Sequence, residues 1–234
     1  MNVETKLRLT EIMKDILEHV DFEDMYCDDY DSEGHCQEII SSPLVHEIAC
    51  GASKTVLFLD GEDDYVIKIP FYGYGSRDED EDEDEDYVTW FSGANLGGIE
   101  SEWDYCELES RVYDLALESE VEEFFASTEF LCCINDIPVY VSEKMDHTRN
   151  YNDYSNETEE EETWRRAVDF VKEHKGASFS TTQIEALIRG YGEEKVERLI
   201  DFISNLGISD FHSGNWGYDK DSRIRLLDYS GYSS

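Results

Sequence analysis

Basic residues are what this chain has least of for its size: 19 Lys and Arg stand against 57 Asp and Glu in 234 residues, a formal charge of −38. No Lys/Arg cluster is long enough to form a basic patch. Direct binding to a nucleic-acid backbone is therefore disfavoured, because neutralising phosphates takes concentrated cations. Such charge favours solubility, opposes compaction and repels anionic ligands from most of the surface. Long apolar runs are also missing. No stretch approaches membrane-spanning length, and Met1 to Val20 carries charges throughout, unlike a signal peptide, so no membrane partner is expected. Paired cysteine motifs are absent as well: Cys27, Cys36, Cys50, Cys106, Cys132 and Cys133 show no CxxC spacing, and the adjacent pair is awkward for a disulfide framework. Reduced thiols in a cytoplasmic chain are the simpler expectation. Cys27, His35, Cys36 and His46 match no common zinc-finger spacing. The apolar share, 40%, is ordinary, and the length suffices for one compact unit or two small lobes.

What is present is a mixed pattern that predicts an α+β fold. Leu9, Ile12, Met13, Ile16, Leu17 and Val20 recur at helical spacing, so the chain opens with an amphipathic helix expected to pack on the back of the first lobe. Asp21 to Gly34 is acidic and without period, which predicts a loop. Three strands are expected at Leu44–Ala49, Thr55–Leu59 and Tyr65–Pro70, the last two joined by the turn dipeptide Asp60-Gly61. The run Asp78 to Asp86 is nine consecutive acids that cannot pack; it predicts a solvated, disordered insertion. A helix is expected from Ser101 to about Glu118, then strands at Phe130–Ile134 and Pro138–Ser142 around Asn135-Asp136. The remainder is helical: Thr163 to His174, a capping-box pattern at Ser180-Thr-Thr-Gln183 before Ile184 and Leu187, and Val196 to Ile203 up to Gly207. Trp216 to Asp228 is expected to be a hairpin turning at Asp219–Ser222. The boundary falls at 142/143: a β-rich part, 1–142, with the acidic insertion 78–86, and a helical part, 143–234.

The chemistry lies near the end. Asp210-Phe-His212-Ser-Gly-Asn215, followed by Asp228 after Ile224-Arg-Leu226-Leu227, puts two carboxylates and an amide oxygen into a short loop and hairpin. That is the oxygen-only inventory for holding Mg²⁺ beside a hydroxyl-activating base. Far upstream, Tyr65-Val66-Ile67-Lys68-Ile69 is a β-branched strand with a single lysine, preceded by the small-residue turn Cys50-Gly51-Ala52-Ser53-Lys54.

In this order the elements resemble the protein-kinase-like superfamily, in a small divergent form of the bacterial or phage kind, over roughly Leu44 to Tyr232. The family's VAIK strand is similar to Tyr65-Val-Ile-Lys68, its catalytic-loop Asp and Asn to Asp210 and Asn215, and its metal-binding DFG to Asp228-Tyr229-Ser230-Gly231. DxHxxN followed by a Leu-Asp is also how aminoglycoside and choline kinases write this loop, so His212 leans toward that branch. Ile208 and Ser209 stand where protein kinases have His and Arg, and only Gly51 remains of the glycine-rich loop. With Ser234 so close behind the metal Asp, the expectation is a two-lobed fold with a small antiparallel β N-lobe and a truncated helical C-lobe, lacking the peptide-docking platform.

The resemblance implies ATP and Mg²⁺ as cofactors and assigns the site. Lys68 would neutralise the α/β-phosphates, a helix glutamate would hold Lys68, and Gly51 and Ser53 would let backbone N–H groups approach the phosphates. Helical phase selects that glutamate: Glu109 falls with Tyr105, Val112 and Ala116, whereas Glu107 falls with Arg111 and Asp114 on the wet side. Asn215 and Asp228 would hold the metal, Asp210 would act as base, His212 would position the loop, and Glu143-Lys144-Met145 would contact adenine. The acceptor, protein or small molecule, is left open. A second reading is a catalytically idle kinase-like or acidic mimic protein, acting as a binding module or inhibitor of a basic protein partner.

Overall fold

The computed structural model describes residues 1–27, 32–51, 54–70, 72–73, 94–96, 99–101, 104–146, 160–174, 179–209 and 211–229. The acidic run 78–86 lies outside them, as do Ser53 and Asp210. In chain order the elements are α1 (Val3–Leu17), β1 (Tyr26–Cys27), α2 (Ser32–Ile39), β2 (Val45–Cys50), β3 (Lys54–Leu59), β4 (Tyr65–Pro70), β5 (Tyr72–Gly73), β6 (Ala94–Leu96), β7 (Ile99–Ser101), α3 (Tyr105–Glu118), β8 (Thr128–Ile134), β9 (Ile137–Glu143), α4 (Glu160–Glu173), α5 (Thr181–Tyr191), α6 (Glu193–Leu206), β10 (Trp216–Tyr218) and β11 (Ile224–Leu226). The fold is mixed α+β. Among the described residues no helix is long and apolar enough to cross a membrane.

Contacts divide the chain into two compact units, Met1–Ala94 with Glu100–Ser110 and Thr128–Glu143, and Asn95–Ile99 with Arg111–Ser127 and Lys144–Ser234. One division falls between Glu143 and Lys144, and the later turns of α3 and the segment behind them go with the second unit.

The first unit is built on a five-stranded antiparallel sheet in the order β2-β3-β4-β9-β8. Period-2 alternation gives it two different faces. Leu57, Leu59, Ile67, Ile69, Val139 and Val141 point to one side and form a core with Leu9, Met13, Ile16 and Leu17 of α1 and with Cys36 and Ile40 at α2. Burying each such aliphatic side chain contributes roughly 1.5–3 kcal/mol, which is what holds α1 to the sheet. Asn2 caps α1, its side-chain oxygen accepting from Thr5 N at 2.9 Å. At the other end of α1, the Asn135 amide donates to Leu17 O at 3.0 Å and Val20 O at 2.8 Å. Asn135 and Asp136 both have positive φ, 49° and 65°, so the β8–β9 connection is the two-residue hairpin turn that Asn and Asp tolerate best. The loop expected from Asp21 to Gly34 is partly wrong: a 3-10 turn at Phe22–Met25, β1 and the start of α2 occupy it. The helix expected from Ser101 begins only at Tyr105, because Ser101 ends β7.

The second unit contains α4, α5, α6 and the β10–β11 hairpin. Ser180 and Gln183 form the expected capping box: Ser180 Oγ accepts from Gln183 N at 3.2 Å and Gln183 Oε1 accepts from Ser180 N at 2.8 Å. Gly207 ends α6 in the left-handed region, φ 73°, and Ile208 N donates back to Ile203 O at 3.1 Å.

Asp219 organises the hairpin turn. Its Oδ1 accepts from Asp221 N and Arg223 N at 2.9 Å each, and its Oδ2 accepts from the guanidinium Nε of Arg223 and of Arg225 at 3.0 Å each. Burial by itself would raise this carboxyl's pKa, but the Arg223 backbone N–H and the two guanidinium charges outweigh it and hold it below the usual carboxylate range. A folded-state pKa below the unfolded one means stability that is present above the unfolded value and lost as pH falls through the folded value. Asp219→Ala is thus expected to destabilise the protein by about 2 kcal/mol at neutral pH in urea titrations. The difference from wild type should shrink in acid; an equal loss at both pH values would show that the carboxylate's charge contributes nothing.

Candidate functional site

Two neighbouring strands and one helix converge on a single carboxylate in the first unit. Antiparallel register sets Lys54 opposite Pro70, Val56 opposite Lys68, and Lys68 opposite Tyr140, so these residues share the sheet face turned away from the α1 core. Glu109 of α3 meets that face. It is 0% exposed; its Oε2 accepts from Lys68 Nζ at 2.6 Å, and its Oε1 accepts from Lys54 Nζ. Thr128 Oγ1 lies 3.4 Å from Oε2. Both lysines are buried, at 4% and 5%. Helical phase explains the choice of glutamate: Cys106, Leu108, Glu109, Val112 and Ala116 are buried, whereas Glu107 is half-buried and Arg111 and Asp114 are exposed.

The first turn of α3 is fixed to the same face. Asp104 accepts from Cys106 N and Glu107 N at 2.9 Å each, as an N-terminal cap does, and its other oxygen accepts from Tyr140 Oη at 2.7 Å. Burial pushes the Asp104 carboxyl up, only partly opposed by the bonds it accepts from Tyr140 and the two backbone N–H groups. Burial, then the Asp104 charge, pushes the Tyr140 phenol well above its ordinary range. Tyr140 is the cross-strand neighbour of Lys68, so the bond to Asp104 sets where α3 begins relative to the lysine.

A buried cluster of two ammoniums and one carboxylate is a poor way to gain stability. Desolvating the charges offsets most of their attraction, and apolar residues of equal volume often do as well. Buried ionisable groups gathered in this way are better candidates for a functional site than for a structural one.

Gly51 lies at the turn between β2 and β3, where its N–H donates to Lys54 O at 2.9 Å. A Cβ added there would meet only that oxygen, at 3.9 Å, an ordinary contact. The described fold does not itself demand glycine at this position. Glu143 ends β9 opposite Tyr65, and Met145 is buried. Asp146 and Tyr218 exchange N–H···O bonds of 2.9 Å, and a Cβ on Gly217 would come within 2.7 Å of Met145 Cβ, so Gly217 is required for that approach.

The second unit assembles the loop. Phe211, the residue after Asp210, offers its carbonyl to two buried donors, Gln183 Nε2 at 2.7 Å and Trp216 Nε1 at 3.2 Å. Phe179 stacks on the Phe211 ring at 4.3 Å. His212 is exposed and caps the short helical turn Ser213–Asn215, its Nδ1 accepting from Gly214 N at 3.1 Å. Asn215 is buried, and its carbonyl accepts from Leu227 N at 2.8 Å, which brings Asp228, the next residue, alongside it. On the far side of Asp228, fully buried Tyr229 donates to Ala126 O at 2.8 Å. Asp228, half-buried, thus lies in the chain between two anchored neighbours, Leu227 and Tyr229.

An amide oxygen and a carboxylate are hard oxygen ligands, and Mg²⁺ is commonly held by one or two carboxylates together with substrate phosphates and water. Asn215 and Asp228 fit that role. Among the described residues no group of three or more His, Cys, Asp or Glu gathers as a metal site.

Sequence reasoning missed four participants: Lys54, taken as the end of a turn, Gln183, taken only as a capping residue, and the paired Asp104 and Tyr140. Neither protein-family models nor curated proteins match this chain.

Proposed function

We propose that the protein is a Mg²⁺- and ATP-dependent phosphotransferase of protein-kinase-like design, transferring the γ-phosphate to a hydroxyl of a protein or small-molecule acceptor. The observation that carries this reading is the buried ion pair between Lys68, on the middle strand β4, and Glu109, on the helix that precedes β8 and β9. A lysine held by a helix carboxylate is what phosphoryl transfer needs to cradle the phosphates. In this reading Lys68 binds the α/β-phosphates, Glu109 fixes its ammonium, and the turn at Gly51 covers the phosphates with backbone N–H groups. Asn215 and Asp228 would hold the Mg²⁺, which would supply charge neutralisation for the phosphates. Asp210 takes the proton from the acceptor hydroxyl as the new O–P bond forms, while the bond from the γ-phosphorus to the β–γ bridging oxygen breaks and ADP leaves. Gln183 and Trp216, through the Phe211 carbonyl, position the segment that carries Asp210. Positioning and charge stabilisation are most of what this chemistry requires.

The charge of −38 favours a second reading, a catalytically idle binding module that engages a basic partner through its acidic surface. One experiment separates them. Mg²⁺-ATP at about 100 times Kd should stabilise the protein by about 2.7 kcal/mol, seen as a rise in Tm, and labelled γ-phosphate should pass to the chain or to a lysate component. No shift with Mg²⁺ or Mn²⁺ removes the phosphotransferase reading. A shift without transfer to any acceptor leaves the idle module.

A further inference from the structure

Glu109 does not hold one lysine but two. Its Oε2 takes Lys68 from β4, and its Oε1 takes Lys54 from β3, with both ammoniums and the carboxylate buried. We propose that Lys54 is a second phosphate-binding cation, so that the nucleoside triphosphate is gripped by a two-lysine clamp built on one glutamate; this rests on the phosphotransferase reading above.

Three observations point the same way. The first is register: Lys54 and Lys68 sit on neighbouring strands and on one face, with Val56 facing Lys68 across the ladder. Their ammoniums converge although the residues are far apart in sequence. The second is location. Lys54 is the first residue of β3, immediately after the turn at Gly51, and its own carbonyl closes that turn by accepting from Gly51 N. The backbone of Lys54 is thereby tied to the turn that the phosphotransferase reading sets over the phosphates. The third is charge. A triphosphate approaching a chain of −38 meets repulsion over most of the surface, and two cations at one point reverse the field more effectively than one. An ammonium on a flexible four-carbon stem carries three donors and can exchange partners when a phosphate arrives. A purely structural lysine would serve Glu109 equally well but would be indifferent to phosphate.

The test is calorimetric titration of the full chain with Mg²⁺-ATP and with adenosine, which lacks phosphates. Lys54→Gln, of similar reach but uncharged, is expected to weaken Mg²⁺-ATP about tenfold while leaving adenosine unchanged, and Lys54→Arg should restore most of the loss. Lys68→Gln should retain measurable ATP binding, and the double variant should lose it. Thermal melts without ligand verify that each variant is folded; if Lys54→Gln does not fold, Lys54→Arg set against Lys68→Gln, with rising ionic strength, supplies the comparison. Equal ATP affinity in folded wild type and Lys54→Gln overturns the clamp and leaves the phosphotransferase reading intact. So does an equal loss for ATP and adenosine. Absence of ATP binding in wild type removes both.

Discussion

Glu109→Gln is expected to lower both stability and turnover, by about 3 kcal/mol and about a hundredfold, whereas Glu107→Gln should change neither appreciably. The first loss follows from burial. Gln keeps the shape and one acceptor but removes the negative charge that two buried ammoniums share, and breaking a buried ion pair from one side typically costs about 3–5 kcal/mol. The second follows from positioning: a lysine displaced by about 1 Å from the phosphates is enough for a hundredfold effect. Glu107 is only half-buried on the same helix and serves as a control that shares the element but not the contact. Urea titration reads the first quantity and labelled phosphate release the second. If Glu107→Gln alone reduced turnover, Glu109 would be a structural neutraliser and the assignment of the helix carboxylate would fail.

A comparably large pair of effects is expected from the second unit, and the two should differ in kind. Asp210→Asn should reduce phosphoryl transfer by about 10²- to 10⁴-fold, the range for a lost general base, with nucleotide affinity preserved. Asp228→Asn should weaken Mg²⁺-ATP binding itself by about tenfold or more, because its carboxylate is the charged member of the proposed ligand pair with Asn215. The distinction is between a group acting on the acceptor hydroxyl and one acting on the phosphates. Fluorescence or calorimetric Kd values beside single-turnover rates separate them. Wild-type affinity and wild-type turnover in both variants would make these carboxylates turn residues and would leave function to the acidic surface.

Much of the fold was legible where local chemistry and packing agree. The opening helix, the strands at Thr55–Leu59 and Tyr65–Pro70, the capping box at Ser180 and the stop at Gly207 all carry side chains whose local preference matches their burial. Helix α2 was not legible. Ser-Glu-Gly-His-Cys-Gln-Glu-Ile has no apolar period, and it is tied to the core through Cys36 and, just beyond its end, Ile40, a contact that only the sheet creates. Of the site, the helical phase of α3 correctly turned Glu109 inward. Lys54 escaped notice because a small-residue turn hid it, although the hairpin at Asp60-Gly61 fixes a register in which Lys54 and Lys68 share a face. The Gln183 and Trp216 bonds to Phe211 O join residues far apart in sequence, and no local pattern announces them.

The sheet order also bears on how quickly this protein reaches its native state. Strand β4 pairs with β9, not with its sequence neighbours downstream, so Lys68 finds Tyr140 only after the whole intervening chain has looped back. Closing such a loop carries an entropic penalty that must be met before the pairing returns any energy, which slows folding. Within this loop lie the nine acids from Asp78 to Asp86, whose mutual repulsion swells the unfolded connection and raises that penalty. Added salt shortens the range of the repulsion, so the refolding limb is the one that ionic strength accelerates, while the unfolding limb, which starts with the loop already closed, responds far less.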